Sequence, residues 1–328
     1  MTTEAQWGSA QLMTKVALLY HEGGMRQSQI AERLHLSQPT VSRLLSRARA
    51  AGIVRTSVVP PAGIHSELED ALQEAFGLLD AVVVDDAPAG RDADADLGVR
   101  ASAYLQATLS GVPILGISSW SATLLGAASA LAPARLASDA AGARRAGATG
   151  QVVQLLGGHG DPRVQAEAAR LLTLLADAMG ARPVALPAPG ALASRAARDA
   201  LIADPALAPV VALWSEASAA LVGIGSIAPS PLLRESGNAW GLEDQADLSG
   251  RGAVGDICQR FIDEVGRPVA SDLDERVVGI DLETFRRIPR RVAVAGGESK
   301  VAAIRAALRG GWINVLVTNL SSAQALVV

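Results

Sequence analysis

The side chains best suited to chemistry fall in four short stretches. The first is Ser37-Gln38-Pro39-Thr40-Val41-Ser42-Arg43-Leu44-Leu45, with Arg47 just beyond it. Ser37 suits an N-cap, because its hydroxyl can accept from the free N–H groups of a first helical turn. Pro39 sits just inside the start, where a missing N–H costs nothing. Val41, Leu44, Leu45 and Ala48 share one helical face and are expected to pack inward. Gln38, Thr40, Ser42, Arg43 and Arg47 are left outside, with Pro39 at the same tip. These are the expected DNA contacts, since such side chains reach phosphates and base edges in a major groove.

The other three stretches follow predicted strands and are rich in glycine or small polar residues. In Gly116-Ile117-Ser118-Ser119-Trp120-Ser121-Ala122-Thr123-Leu124, hydroxyls and free N–H groups could hold a phosphate or sugar hydroxyls. Leu155-Leu156-Gly157-Gly158-His159-Gly160-Asp161-Pro162 again joins strand to helix, and Gln165, one turn into that helix, could point back to the same cleft. Ala295-Gly296-Gly297-Glu298-Ser299-Lys300 sets a positive charge beside a glycine turn. Any one such loop is usually only turn chemistry. Three in one α/β domain weigh more, because a shared sheet edge would bring them together. His159 could act as a general base, although a loop histidine is more often a hydrogen-bonding or surface group. Asp256 could receive a sugar hydroxyl or cap a helix. Cys258, beside Ile257 and near Phe261, reads as a buried small hydrophobe.

Several chemistries are disfavoured. A single cysteine excludes an intramolecular disulfide and a multi-cysteine metal site. The four histidines show no ligand spacing. Neither Gly223-x-Gly225 nor Gly250-x-Gly252 continues into a dinucleotide fingerprint, and no phosphate-binding P-loop is present. No cofactor or metal is expected.

The elements that must position these residues follow from periodicity. Helices are predicted over 9–22, ended by Gly23-Gly24, and over 26–34, with Ser37 capping a third that Gly52 stops. This is the three-helix helix-turn-helix pattern. The β-branched run Ile53–Val59 suggests a short strand or wing. Pro60-Pro61-Ala62-Gly63 marks a boundary, so residues 1–60 form one domain, 61–78 a linker helix and 79–328 a second domain. In the second, apolar runs at Ala81–Val84, Val112–Ile117, Val152–Leu156, Ala219–Ile224, Val277–Ile280, Val292–Ala295 and Val315–Thr318 alternate with helices near 97–109, 121–131, 162–179, 298–309 and 321–327. Such alternation argues for an α/β domain with a mostly parallel sheet.

Composition agrees. The chain has 328 residues, 49% hydrophobic and 19% charged, enough for a sizeable core. No apolar run reaches the ~18 residues of a membrane helix, and the start lacks a secretion signal, so the cytoplasm is the expected location. Residues 1–60 carry seven Lys/Arg against three Asp/Glu, whereas the remainder carries 22 against 30. A basic end on an acidic body suggests that the end meets a polyanion.

Together these residues resemble the SorC-type sugar-responsive transcription regulators over nearly the whole chain. The matching stretches are Gln29-Ile30-Ala31-Glu32-Arg33-Leu34 and Thr40 to Leu45, the Trp120 to Leu124 loop, Gly223-Ile224-Gly225-Ser226, Gly252 to Cys258, Arg276 to Ile280, Ala295-Gly296-Gly297 with Lys300, Ala307 to Gly311, and Ile313 to Thr318. The resemblance implies a bacterial regulator that forms dimers or tetramers on operator DNA. It implies a winged-type helix-turn-helix followed by a sensor domain sharing a fold with glucosamine-6-phosphate deaminase and ribose-5-phosphate isomerase. The implied effector is a sugar, sugar phosphate or polyol, held by Ser118, Ser119, Trp120, Ser121, Thr123, Gly158, His159, Gln165, Asp256, Lys300 and Asn319. There are departures. The family's first loop usually reads Gly-Trp-Gly where Ser119-Trp120-Ser121 stands here. An Asp-Glu pair usually follows the Thr where Asn319-Leu320 follow Thr318, so a negative contact is missing. Leu156 offers no cation, and Gln38 stands where Arg is common. Two rival readings are an isomerase- or deaminase-like enzyme, for which Asp256, His159 and Lys300 are the only acid–base candidates, and a constitutive DNA-binding oligomer.

Overall fold

The computed structural model describes residues 3–55, 61, 63–136 and 150–328. The chain divides into two compact units at Pro61–Ala62.

In the first unit, helices α1 (Thr3–His21), α2 (Gln27–Leu34) and α3 (Gln38–Ala50) close around Val16, Ile30, Ala31, Val41, Leu44, Leu45 and Ala48. The turn between α2 and α3 is tight because His35 takes a left-handed conformation, φ 51°, and the Leu36 N–H returns 2.8 Å to the Ala31 carbonyl. Ser37 caps α3, its hydroxyl accepting from the Thr40 N–H at 3.3 Å. Residues 51–54 are turn and bend; beyond Arg55 the rest of the expected wing, through Val59, lies outside the described residues.

The second unit opens with α4 (Ser66–Phe76), which Gly77 ends in the left-handed region at φ 64°. Leu72, fully buried, fixes α4 to the core of this unit, so the expected linker helix is an integral part of it. A seven-stranded sheet follows, made of β1 (Asp80–Val84), β2 (Ile114–Ile117), β3 (Gln151–Gln154), β4 (Arg182–Val184), β5 (Ala219–Val222), β9 (Arg290–Val294) and β10 (Val315–Asn319), in the order β1-β10-β9-β5-β2-β3-β4. Every pairing in it is parallel. Both faces are buried: Ala81 and Val83 enter one apolar layer while Val82 and Val84 meet the other. Burial on both faces is why these strands read as continuous apolar runs. Helices α5 (Ala93–Leu109), α6 (Ala122–Leu136), α7 (Pro162–Met179), α13 (Val301–Arg309) and α14 (Leu320–Val327) alternate with the strands, and α8 (Arg195–Ile202) and α9 (Ala208–Glu216) separate β4 from β5.

Between β5 and β9 the chain builds a smaller antiparallel sheet, β6 (Gly225–Ser226), β7 (Ala253–Ile257) and β8 (Arg260–Asp263), in the order β6-β7-β8. Helices α10 (Pro231–Glu235) and α11 (Leu242–Gly250) connect β6 to β7, and α12 (Leu282–Arg287) precedes β9. Val277–Ile280, expected as a strand, does not join either sheet. It makes only isolated bridges, Leu156 to Gly279 and Ala191 to Val277. Its N–H groups go instead to Gly190 and Leu155 carbonyls, and the buried Arg260 guanidinium donates to the carbonyls of Gly279 at 3.2 Å and Ile280 at 3.1 Å. The Ala-rich segment 126–148 is helical in α6 to Leu136, and its remainder lies outside the described residues.

Candidate functional site

In the first unit, Gln38, Pro39, Ser42, Arg43 and Arg47 are exposed along the start and outer side of α3. Thr40 is half-buried, because its hydroxyl is drawn into the cap: Ser37 Oγ and Thr40 Oγ1 lie 2.8 Å apart, and Arg43 Nη2 donates to Thr40 Oγ1 at 3.3 Å. One hydrogen-bonded chain therefore holds the Arg43 guanidinium over the tip of the helix. Gln38 also borders a shallow depression with Tyr20, Arg26 and Ser28, side chains that sequence reasoning did not bring to this face.

In the second unit the strand order supplies the position of a cleft. β2, β3 and β4 run outward in one direction, and β5, β9 and β10 in the other. The loops leaving β2 and β5 therefore part at a switch point, where open α/β sheets bind ligands. A cleft of ≈ 310 Å³ lies there, lined by Ser118 and Trp120–Thr123 after β2, by Gly223–Ser226 after β5, and by residues of β7, its hairpin and the Ser299–Lys300 turn. Leu156, Asp94, and a loop and short helix from Ala228 to Leu233 also line it. That volume is at the lower end of small-molecule sites, roughly 300–1,000 Å³.

The apolar part of the lining comes from Trp120, Leu156, Ile224, Pro229, Pro231 and Leu233. The polar part includes an ion pair. Lys300 Nζ stands 2.7 Å from Asp94 Oδ1 and 3.0 Å from Oδ2, and Thr123 Oγ1 donates to Asp94 Oδ1 at 3.3 Å. Asp94 was not expected here. It sits in the first turn of α5, after Asp92, whose side chain caps that helix by accepting from Ala95 N–H. Starting α5 at 97 hid it; Asp92 as N-cap followed by acidic residues in the first turn was the available signal.

Asp256 faces the same cleft from β7. Burial pushes its carboxyl up to about 6, with the Gln259 N–H and the charge of Lys300 pulling the other way. Its role is neither helix cap nor bare acceptor. Oδ2 accepts from the Gln259 N–H at 2.8 Å and braces the β7–β8 turn. That turn places Cys258 and Gln259 at φ 53° and 59°, a left-handed pair that usually calls for Asn-Gly. Gly225 pairs with Asp256 across the sheet, and a Cβ there would fall 1.9 Å from Asp256 Oδ1. The Cys258 thiol lines the cleft, and burial pushes its pKa up to about 12. Gln259 is 3% exposed; its Nε2 donates to the Asn238 carbonyl at 3.0 Å, and its Oε1 has no partner among the described residues. A buried acceptor left unsatisfied costs roughly 1–3 kcal/mol.

Of the expected effector contacts, Ser118, Trp120, Ser121, Thr123, Asp256 and Lys300 line this cleft. Ser119, Gly158, His159, Gln165 and Asn319 do not. Ser119 is buried and donates to the Leu156 carbonyl at 2.7 Å. The Gly157–Asp161 loop is occupied with packing: a Cβ on Gly157 would meet the Pro189 carbonyl at 2.1 Å, and the His159 N–H donates to Ala188 O at 3.0 Å while its side chain is exposed. Gln165 is half-buried on α7. Asn319 ties together three strand ends, accepting from Gly297 N–H at 3.2 Å and donating to Asp86 and Ser321. Lys300 was expected as a free positive charge and instead carries a carboxylate partner. The carboxylates that line the cleft are those of Asp94 and Asp256, whereas Asn319 lies outside it.

A helix-turn-helix unit followed by an α/β unit with a polar cleft at its switch point defines a ligand-sensing DNA-binding protein. Residues 61–328 match the sugar-binding domain family, Sugar-bind, and residues 16–63 the MarR family. The chain belongs to the SorC-type sugar-binding regulators. It is 33% identical to the deoxyribonucleoside regulator of Bacillus subtilis over 318 residues, 97% of each chain. It is 31% identical to the sorbitol operon regulator of Klebsiella pneumoniae over 322 residues, 96% of this chain and 97% of that one. The crystal structure of full-length SorC from Klebsiella pneumoniae superposes with a TM-score of 0.68 at 28% identity, over 97% of this chain and 99% of that one.

Proposed function

We propose that this protein is a transcriptional regulator of carbohydrate metabolism whose affinity for operator DNA is controlled by a small sugar, sugar phosphate or polyol. The observation that carries this reading is the cleft at the β2/β5 switch point in a chain that also presents Gln38, Ser42, Arg43 and Arg47 on a recognition helix. The helix docks in a major groove, with Gln38 and Ser42 toward base edges and Arg43 and Arg47 toward phosphate or guanine. A homodimer or homotetramer presents these helices in pairs, so the operator is a pseudopalindrome. The effector changes DNA affinity only by its differential affinity for two states of the assembly. We read the cleft as a sensor rather than a catalytic centre, since of the three acid–base candidates His159 lies outside it, Lys300 is held by Asp94 and Asp256 accepts from the Gln259 N–H. No helix among the described residues is long and apolar enough to cross a membrane, which fits action in the cytoplasm.

Fluorescence anisotropy with labelled DNA from the region flanking its gene tests the reading, with and without a panel of sugars, sugar phosphates and polyols. At least one member should shift the binding curve and stabilise the protein, by about 2.7 kcal/mol at a hundredfold excess over Kd. DNA binding that no panel member alters would remove the sensor half of the proposal.

A further inference from the structure

Arg26 stands at the N-cap of α2, a position that favours Ser, Thr, Asp or Asn because a short acceptor there satisfies a free N–H of the first turn. An arginine side chain has donors only and cannot do this. The capping contact runs the other way, the Arg26 N–H donating to Gln29 Oε1 at 2.9 Å. The positive charge of Arg26 also lies at the positive end of the helix dipole, where it opposes helix formation. The guanidinium is exposed and has no hydrogen bond or ion pair among the described residues. Folding therefore gives no reason for arginine at this position.

Its surroundings do. Arg26 borders the shallow depression that Gln38 shares with Tyr20, Gln27 and Ser28. Gln27 is the first residue of α2 and Gln38 the first of α3, so two helix starts meet on one hollow. Neither helix has an acidic residue in its first turn, and among the described residues the lining carries a cation and no carboxylate. Tyr20 and Met25 pack against the apolar core of the unit and anchor the hollow to it. In a helix-turn-helix the reading helix lies in the groove while the preceding helix crosses the backbone, so this hollow meets the phosphates that border the bases facing Gln38.

We infer that Arg26 is a DNA-contacting residue whose guanidinium, with the Ser28 hydroxyl beside it, takes a backbone phosphate next to the base pair that Gln38 reads. The inference rests on the DNA-binding reading above and adds to it a sequence-independent contact on α2.

Fluorescence anisotropy of the full chain over a salt series tests it, beside thermal unfolding. The probes are a duplex from the region flanking its gene and a random-sequence duplex of equal length. Arg26→Ser replaces the cation with a favoured cap. Its Tm should be no lower than the parent's, yet it should bind both duplexes about tenfold more weakly, with a log–log salt slope smaller by about 0.9. Arg26→Lys keeps the charge and should retain the parent's slope. Parent-like affinity and slope in Arg26→Ser would overturn the inference and leave DNA binding by the parent standing. Loss on the flanking duplex alone would mark Arg26 as a base reader and overturn the phosphate contact. A lowered Tm in Arg26→Ser, with a loss of binding that Arg26→Lys does not restore, would overturn it as well. A parent that binds neither duplex would overturn the DNA-binding reading and this inference together.

Discussion

Lys300 Nζ and Asp94 Oδ1, 206 positions apart in sequence, meet at 2.7 Å across the mouth of the cleft and join the first turn of α5 to the turn before α13. Each is largely shielded, with side-chain exposures of 17% and 32%. The pair sets the electrostatic character of the site. Asp94→Asn keeps the shape and removes the countercharge. The ammonium is then available to an anion, and affinity for 2-deoxyribose 5-phosphate or inorganic phosphate should rise about tenfold, measured by calorimetry. Unchanged phosphate affinity would show that Asp94 does not mask Lys300.

The raised carboxyl of Asp256 makes a pH prediction whose sign is opposite to that of most carboxylates. Between the ordinary value of 3.8 and about 6, the folded chain holds a proton that the unfolded chain has released. Stability contributed at this position therefore falls as pH rises through that window. Asp256→Asn retains an oxygen for the Gln259 N–H and removes the titration. Above pH 6 the variant should exceed the parent by on the order of 2 kcal/mol, and the difference should vanish toward pH 4. Urea denaturation of both proteins across this range measures it, and a difference independent of pH would refute the assignment.

Gly225 is fixed by its neighbour across β6 and β7. A methyl group there would overlap Asp256 Oδ1, 1.9 Å away, and would push the carboxylate off the Gln259 N–H. Gly225→Ala should cost about 1–3 kcal/mol in thermal unfolding and weaken ligand binding without altering DNA binding. A variant with parent-like Tm would mean that the hairpin can move aside freely.

On the DNA side, Arg43 and Gln38 should separate by mechanism. Arg43→Ala should weaken binding to all sequences and reduce the salt dependence by about one counterion. Gln38→Ala should cost roughly 1–3 kcal/mol on the operator and relax its sequence preference. If the double variant bound operator as the parent does in a gel-shift titration, α3 would not be the reading helix.

Much of this architecture was legible in advance because its signals are local or periodic. Ser37, Pro39 and the Val41–Leu44–Leu45–Ala48 face determine α3 within thirteen residues. The parallel strands announced themselves because both sides of them are buried. The missed parts depend on distant partners. β6, β7 and β8 are short and contain glycine, charge and a bulge, so no alternation marks them. Val277–Ile280 has strand composition, yet its hydrogen-bonding partners are loops. Asp94 lies before the predicted start of its helix, and only the fold brings Lys300 to it. Gln259 carried no signal, because its position depends on a left-handed backbone and a neighbouring carbonyl at Asn238. Conversely, the Gly157–Gly160 loop had the composition of a binding loop, yet Gly157 and Gly160 serve close packing and the His159 side chain is exposed.

The place of β1 in the sheet has a consequence for synthesis. Its strand partner is β10, residues Asp80–Val84 against Val315–Asn319, so the first strand in sequence waits for residues 315–319 to emerge. The helix-turn-helix can close on the ribosome long before, since its core is drawn entirely from residues 12–54, and domains form in the order in which they are made. A nascent or prematurely terminated chain thus acquires its DNA-reading end while the sheet that supports its sensor is still unfinished.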